Sequence, residues 1–196
     1  MKEKAARIIR TATVPPVEAL LLLLILYQHQ NAAFGDMGDL LLSILFLSVI
    51  PVLAYPTAAL LSREEDIRGI QRKMAFHFTF IAYLAAMLIG YATRCSELLQ
   101  AVLDAYFLSA LLLVIVNKVF RIKASGHACS CTLPYLILMY YFNWNIDVVI
   151  VCVIMYAAEF WASIELKRHT VKEFLLGTVI ACLIFVRTWW GIIFCM

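Results

Sequence analysis

The chain has 196 residues, of which 64% are hydrophobic and 15% are charged, whereas soluble domains are roughly half apolar. This composition excludes an ordinary soluble enzyme and predicts an integral membrane protein whose partner is the lipid bilayer, formed as a single transmembrane domain over 1–196. The net charge is only +3 and no basic run is long, so we expect no nucleic-acid partner.

Long apolar runs separated by short turns predict an all-α helical bundle with seven membrane spans. The first span, 14–34, is predicted as an extra N-terminal helix that begins at Pro15-Pro16. Its basic start and short apolar centre also fit a secretory signal, but the Ala-x-Ala cleavage pattern is absent, so we expect the span to be retained. The remaining six spans form the predicted core over 39–194, at 39–61, 74–92, 98–116, 124–142, 146–162 and 174–194.

The distribution of basic residues predicts which side of the membrane each loop faces. All Lys and Arg residues except Arg94 and Arg187 lie in four segments that seven spans would place on one face: 1–10, 62–73, 117–123 and 163–173. Basic loops face the cytoplasm as a rule. We therefore expect these segments to be cytoplasmic.

Two histidine motifs stand at span ends on that same face. One reads Lys-Ala-Ser-Gly-His over 123–127, and the other reads Arg-His-Thr-Val-Lys-Glu over 168–173. Two spans lie between them, so the chain crosses and returns. His127 and His169 are therefore expected to meet at one site, although either histidine alone is more typical of a wetted surface residue.

The residue types in these motifs suit hydrolysis of a phosphate ester. A neutral His169 can attack phosphorus, and Glu173, one helical turn away, can orient its ring. His127 can protonate the leaving oxygen. Ser125 is a natural helix cap, and Gly126 lets the backbone approach an anion at the helix start.

Cations near these motifs are predicted to hold the phosphate, and this mechanism includes no metal and no cofactor. The predicted phosphate-binding cations are Lys118, Arg121, Lys123 and Arg168. A metal site at Cys129 and Cys131 beside His127 is an alternative, but two thiols one residue apart are poorly spaced for zinc. We expect these cysteines to pack as small apolar residues.

Over about 75–194 the chain resembles the type 2 phosphatidic acid phosphatase superfamily of membrane phosphatases. Ser125-Gly126-His127 matches its second motif, His169 and Glu173 match the end of its third, and Lys123 stands for its first. The resemblance implies a six-helix phosphatase-like core, His169 as nucleophile, His127 as acid, and a phosphate cradle at Ser125 and Gly126. It also implies hydrolysis of a lipid phosphate monoester or pyrophosphate, and it is closest to short bacterial members, which implies a bacterial plasma membrane.

The chain departs from this family in the first motif, where no Arg-Pro follows a lysine, and at the start of the third motif. The family has Ser-Arg at the start of the third motif, whereas this chain has Ala162-Ser163, so the phosphate-binding arginine is missing. Lys167 or Arg168 could substitute from a different position. The departure leaves a second hypothesis open, in which a non-catalytic member binds anionic lipid headgroups or scaffolds a membrane partner.

Three acidic residues lie inside apolar runs. We expect Asp104 to form a structural pair with another span, although its position also suggests a small transporter. Glu18 and Glu159 lie nearer span ends and are expected to reach water or a lysine.

Overall fold

The computed structural model describes residues 1–29, 34, 36–61 and 67–195, without the side chains of 61, 67, 68, 72 and 191–195. The described residues form helices and contain no strand, which confirms the predicted all-α class. In chain order the helices are α1 (Lys2–Ala12), α2 (Pro15–His29), α3 (Met37–Ile44), α4 (Ile50–Leu61), α5 (Ile67–Thr93), α6 (Glu97–Val114), α7 (Gly126–Tyr141), α8 (Ile146–Glu165) and α9 (Val171–Cys195).

Several helices are long and apolar enough to cross a bilayer. Within the described ranges there are four: Met37–Leu60, Gly69–Thr93, Glu97–Val119 and Ile146–Glu165. The pair formed by α1 and α2 qualifies as a fifth if it is counted as one span bent by 54°. The structure therefore supports a membrane protein, and the predicted six core spans plus one are matched only approximately. The connector 62–66 and the Ala32-Ala33 pair lie outside the described residues.

The bend between α1 and α2 follows from Pro15. Proline lacks an N–H group and pushes the residue before it away from helical geometry, so α1 ends before Val14 and α2 starts at Pro15. Thr13 closes α1 by donating its hydroxyl proton to the Ile9 carbonyl at 2.9 Å. The sequence analysis treated 1–10 as a basic segment and missed this helix.

One compact unit contains Met1–Glu18 and Leu108–Met196. In it α7 packs against α9 and α8, and α1 packs against α8. Phe174 of α9 is fully buried, with its ring edge-on to Tyr156 and Phe160 of α8 at centroid distances of 5.7 and 5.2 Å. Burying such a ring contributes about 1.5–3 kcal/mol, which holds α9 against α8.

The other compact unit contains Ala19–Phe107. In it α4 packs against α5, and Tyr83 of α5 contacts Tyr106 of α6 edge-on at 5.3 Å between ring centroids. Asp104 accepts hydrogen bonds from Tyr91 Oη at 2.8 Å and Gln100 Nε2 at 2.7 Å. Asp104 thus forms the structural pair that the sequence favoured, and no transport path is needed to explain it.

Candidate active site

The Ser-Gly-His motif starts α7 and is tied to the start of α9. Ser125 is fully buried, and its hydroxyl oxygen accepts a bond from the Ala128 N–H at 3.2 Å. The Ser125 N–H donates to the Glu173 carbonyl oxygen at 2.9 Å. Capping and packing therefore account for Ser125. The N–H groups in the first turn of α7 have no carbonyl one turn earlier to accept their hydrogen bonds.

Gly177 allows α7 and α9 to approach this closely. A Cβ added at Gly177 would collide with the Ser125 carbonyl oxygen and would lie 3.1 Å from the Ala128 Cβ. The sequence analysis missed Gly177, although a glycine inside an apolar helical run is a known signal of close helix contact. This glycine sets the distance between the two motifs.

Gly126 is different, because packing does not require it. It is exposed, and an added Cβ would meet nothing closer than Leu113 Cδ1 at 3.9 Å. The backbone at Gly126 therefore faces open space beside the first turn of α7. That open space is where the sequence predicted that a phosphate binds.

Thr170 and Glu173 form a capping box at the start of α9. The Glu173 N–H donates to Thr170 Oγ1 at 3.2 Å, and the Thr170 N–H donates to Glu173 Oε2 at 3.2 Å. The same carboxylate lies 3.3 Å from His169 Nδ1 and 2.9 Å from Lys123 Nζ. The hydrogen bond from Lys123 is the main cause that lowers the pKa of Glu173, so this carboxylate is ionised at neutral pH.

His169 is a neutral imidazole whose Nδ1 atom contacts the Glu173 carboxylate. Its side chain is 18% exposed, and burial is the main cause that lowers its pKa, followed by the charge of Arg10. Glu173 raises the pKa of His169, but the pKa remains below its ordinary value. With Nδ1–H directed at the carboxylate, the tautomer leaves a lone pair on Nε2.

His127 presents a buried nitrogen with no partner. Its Nε2 atom is buried and makes no hydrogen bond within the described part of the chain. The ring lies within electrostatic range of both His169 and Arg10. The structure therefore brings the two predicted histidines and a cation into one region.

That cation, Arg10, was not among the predicted site residues. It lies near the end of α1, and its Nη1 donates to Ser163 Oγ of α8 at 2.8 Å. Ser163 is fully buried, so this hydrogen bond holds the Arg10 guanidinium against the end of α8. The apolar stripe of α1, with Ala6 fully buried and Ile9 half-buried, is the sequence signal that could have placed Arg10 on α8.

The other predicted phosphate-binding cations are placed less closely. Lys123 is 70% exposed but joins the site through its ion pair with Glu173. Lys118, Arg121 and Arg168 are exposed, and the structure shows no side-chain contact that joins them to either histidine. Among the described residues, a group of ligands suited to a metal ion consists of Glu18, Cys131 and Glu159 rather than Cys129.

Comparisons with family models, with curated proteins and with solved structures returned no match to this chain. Its function is therefore inferred from the residues and the geometry of the two histidine motifs.

Proposed function

We propose that the chain is a membrane phosphatase that hydrolyses a lipid phosphate monoester or pyrophosphate through a phosphohistidine at His169. One observation carries the proposal: the buried Nε2 of His127 lacks a partner in a region that also contains His169 and Arg10. A buried polar atom without a partner is costly. An anion bound between these groups supplies the missing acceptor and is attracted by Arg10.

In the first step, the lone pair on His169 Nε2 attacks phosphorus and the bond from phosphorus to the leaving oxygen breaks. The ring becomes positive, and the Glu173 carboxylate at Nδ1 stabilises that charge. An anionic substrate favours a protonated His127, which gives its proton to the leaving alcohol or phosphate. Arg10 and Lys123 stabilise the charge on the equatorial oxygens.

In the second step, water attacks the phosphohistidine. The now neutral His127 accepts the proton from that water, inorganic phosphate leaves, and His169 regains its lone pair. Each group thus returns to its starting state without a metal ion or a cofactor.

The substrate class follows from the position of the site. Both histidines lie at or just before the starts of apolar helices, His127 in α7 and His169 before α9. The proposal puts them at the level where lipid headgroups meet hydrocarbon, because the ends of membrane helices lie there. The proposal puts this face in the cytoplasm, because basic loops follow the positive-inside rule, and the resemblance favours a bacterial plasma membrane. A reporter that works only outside the cytoplasm should be active when it is fused at the C-terminus. A reporter that works only inside the cytoplasm should be active when it is inserted at 62–73.

The second candidate is a non-catalytic protein that binds an anionic lipid headgroup. The Ala162-Ser163 departure from the family motif favours it. In that case Arg10 and Lys123 hold the headgroup, and no phosphorus bond breaks. The two candidates share the site and differ only in turnover.

Phosphate release separates them. Purified protein in lipid nanodiscs is given a panel of phosphatidate, phosphatidylglycerophosphate, polyprenyl phosphate and polyprenyl pyrophosphate, with EDTA present. We expect release with at least one of them and loss of that release in His169→Ala. The matched control His77→Ala should retain it, because the His77 ring bonds the Lys73 carbonyl and contacts Phe76 within its own helix. Tight binding without release by the wild-type protein would overturn the enzyme in favour of the binder.

A further inference from the structure

Three buried side chains with metal-binding atoms converge one helical turn deeper than the histidine site. They are Glu18 of α2, Cys131 of α7 and Glu159 of α8, and their ligand atoms all lie within 4.8 Å of one another. Cys131 follows His127 by four residues, and Glu159 precedes Ser163 by four, so the vertical offset is about 6 Å. The three side chains are 6%, 0% and 1% exposed.

The hydrogen bonds at this cluster do not satisfy the two carboxylates. The Tyr135 hydroxyl lies 2.8 Å from Glu18 Oε1 and also contacts Glu159 Oε1. A hydroxyl has a single proton and can donate to only one of them. The second oxygens, Glu18 Oε2 and Glu159 Oε2, are buried without any hydrogen-bond partner among the described residues.

Two carboxylates this close and this deeply buried need positive charge between them. Burial makes an uncompensated carboxylate costly, and two like charges at one position add to that cost. Protons can supply the charge, and so can a metal cation. The Cys131 Sγ atom lies within 4.8 Å of a carboxylate oxygen of each glutamate. It therefore offers a metal ion a soft ligand beside the two carboxylates, and this combination of ligands favours a metal cation.

We propose that Glu18, Cys131 and Glu159 bind a divalent cation of the zinc class. Zinc takes thiolate and carboxylate ligands together, whereas Mg²⁺ and Ca²⁺ select oxygen ligands alone. Binding deprotonates the Cys131 thiol and the carboxyls, and these protons go to the solvent. The ligands then carry three negative charges against two positive, and the remaining negative charge lies one turn below the cationic histidine site.

The cation would join three helices that are far apart in sequence. Glu18 and Glu159 are 141 positions apart in sequence, so the metal closes a long loop at the base of the site. We therefore expect it to stabilise the folded protein, and this role does not depend on whether the histidine site is catalytic.

Cobalt is the probe, because Co²⁺ replaces Zn²⁺ and reports its ligands by colour. EDTA-washed protein in nanodiscs is titrated with Co²⁺, and the absorbance and the unfolding temperature are recorded. We expect one Co²⁺ per chain, a near-ultraviolet band from thiolate to cobalt, displacement by Zn²⁺ and a higher unfolding temperature with either metal.

Two cysteines on α7 give a matched pair of variants. Cys131→Ser should lose the thiolate band, whereas Cys129→Ser, which is equally buried and outside the ligand group, should keep it. Glu159→Gln keeps the side-chain shape and should weaken Co²⁺ binding at least about tenfold. If Cys131→Ser does not fold, the Co²⁺ affinity of Glu159→Gln still tests whether this cluster binds the metal.

A wild-type protein without the thiolate band would overturn the proposal and leave shared protons as the neutralising charge. A band that persists in Cys131→Ser, or an unchanged affinity in Glu159→Gln, would do the same. None of these readouts uses phosphate release, so failure of the metal site and failure of the phosphatase proposal are distinguishable.

Discussion

Two polar layers lie one helical turn apart along α7 and α8, and they have opposite chemistry. The upper layer contains Arg10, His127, Ser163 and His169, and its ring nitrogens and guanidinium suit an anion. The lower layer contains Glu18, Cys131, Tyr135 and Glu159, and its buried carboxylates suit a cation. Helices α7 and α8 each contribute to both layers.

The two layers differ in burial, and burial separates residues that act in function from residues that act in stability. In the upper layer, Arg10, His127 and His169 lie beside loops and are half-buried, so removing one of them should affect activity more than folding. Lower-layer groups are almost fully buried, so removing one leaves unpaired polar atoms in the interior and should affect folding first.

The largest expected effect is in the upper layer. His169→Ala should lower phosphate release by about 10⁴-fold or more because it removes the nucleophile, and His127→Ala by about 10²–10⁴-fold because it removes the acid. Release assays and thermal unfolding should be run on the same samples. A residual activity of half or more in His169→Ala contradicts the mechanism.

Arg10→Ala should lower kcat/KM by about 10²-fold, because it removes a fixed donor to the phosphate. Its positive charge is also one cause of the lowered pKa of His169, so the acid limb of the pH profile should move to higher pH. Arg10→Lys keeps the charge and should restore the profile while recovering only part of the rate. An unchanged pH profile in Arg10→Ala would remove Arg10 from the site.

The same pKa shift links His169 to stability. Its pKa is lowered on folding, so between that pKa and the ordinary value near 6.5 the unfolded chain binds more protons at this residue. The free energy of unfolding should therefore rise with pH through this window, and less steeply in Arg10→Ala. Urea unfolding at several pH values measures both slopes, and equal slopes would show that Arg10 does not act on His169.

The two glycines give a comparison within the upper layer. Gly177→Ala forces α7 away from α9 and should cost about 1–3 kcal/mol of stability, as overpacking does. Gly126→Ala enters open space and should leave the unfolding temperature almost unchanged. Because both variants add one methyl group, an equal loss of stability would show that the packing of α7 on α9 is not as described.

The smallest effect tests the lower layer against the upper. Tyr135→Phe removes the hydroxyl between the two carboxylates and should cost about 1–3 kcal/mol. Phosphate release per folded molecule should change less than twofold, because Tyr135 lies two helical turns from His127. A large loss of turnover with unchanged stability would mean that the layers are not separate.

The sequence predicted much of the fold and part of the site. Apolar runs located the helices, and the return of the chain after two spans predicted that His127 and His169 lie near each other. Arg10 was missed because its partner, Ser163, is 153 residues away and no local pattern links them. The prediction that Glu18 and Glu159 reach water or a lysine was wrong, since both are buried and share Tyr135.

The shared anion site is tested most directly by imidazole NMR during titration with orthovanadate, a phosphate analogue. The chain has four histidines, so His29 and His77 serve as internal controls. We predict that the ring resonances of His127 and His169 shift together with a single dissociation constant while those of the controls stay constant. Vanadate that shifts only one of the two, or shifts them with different constants, would contradict a common site.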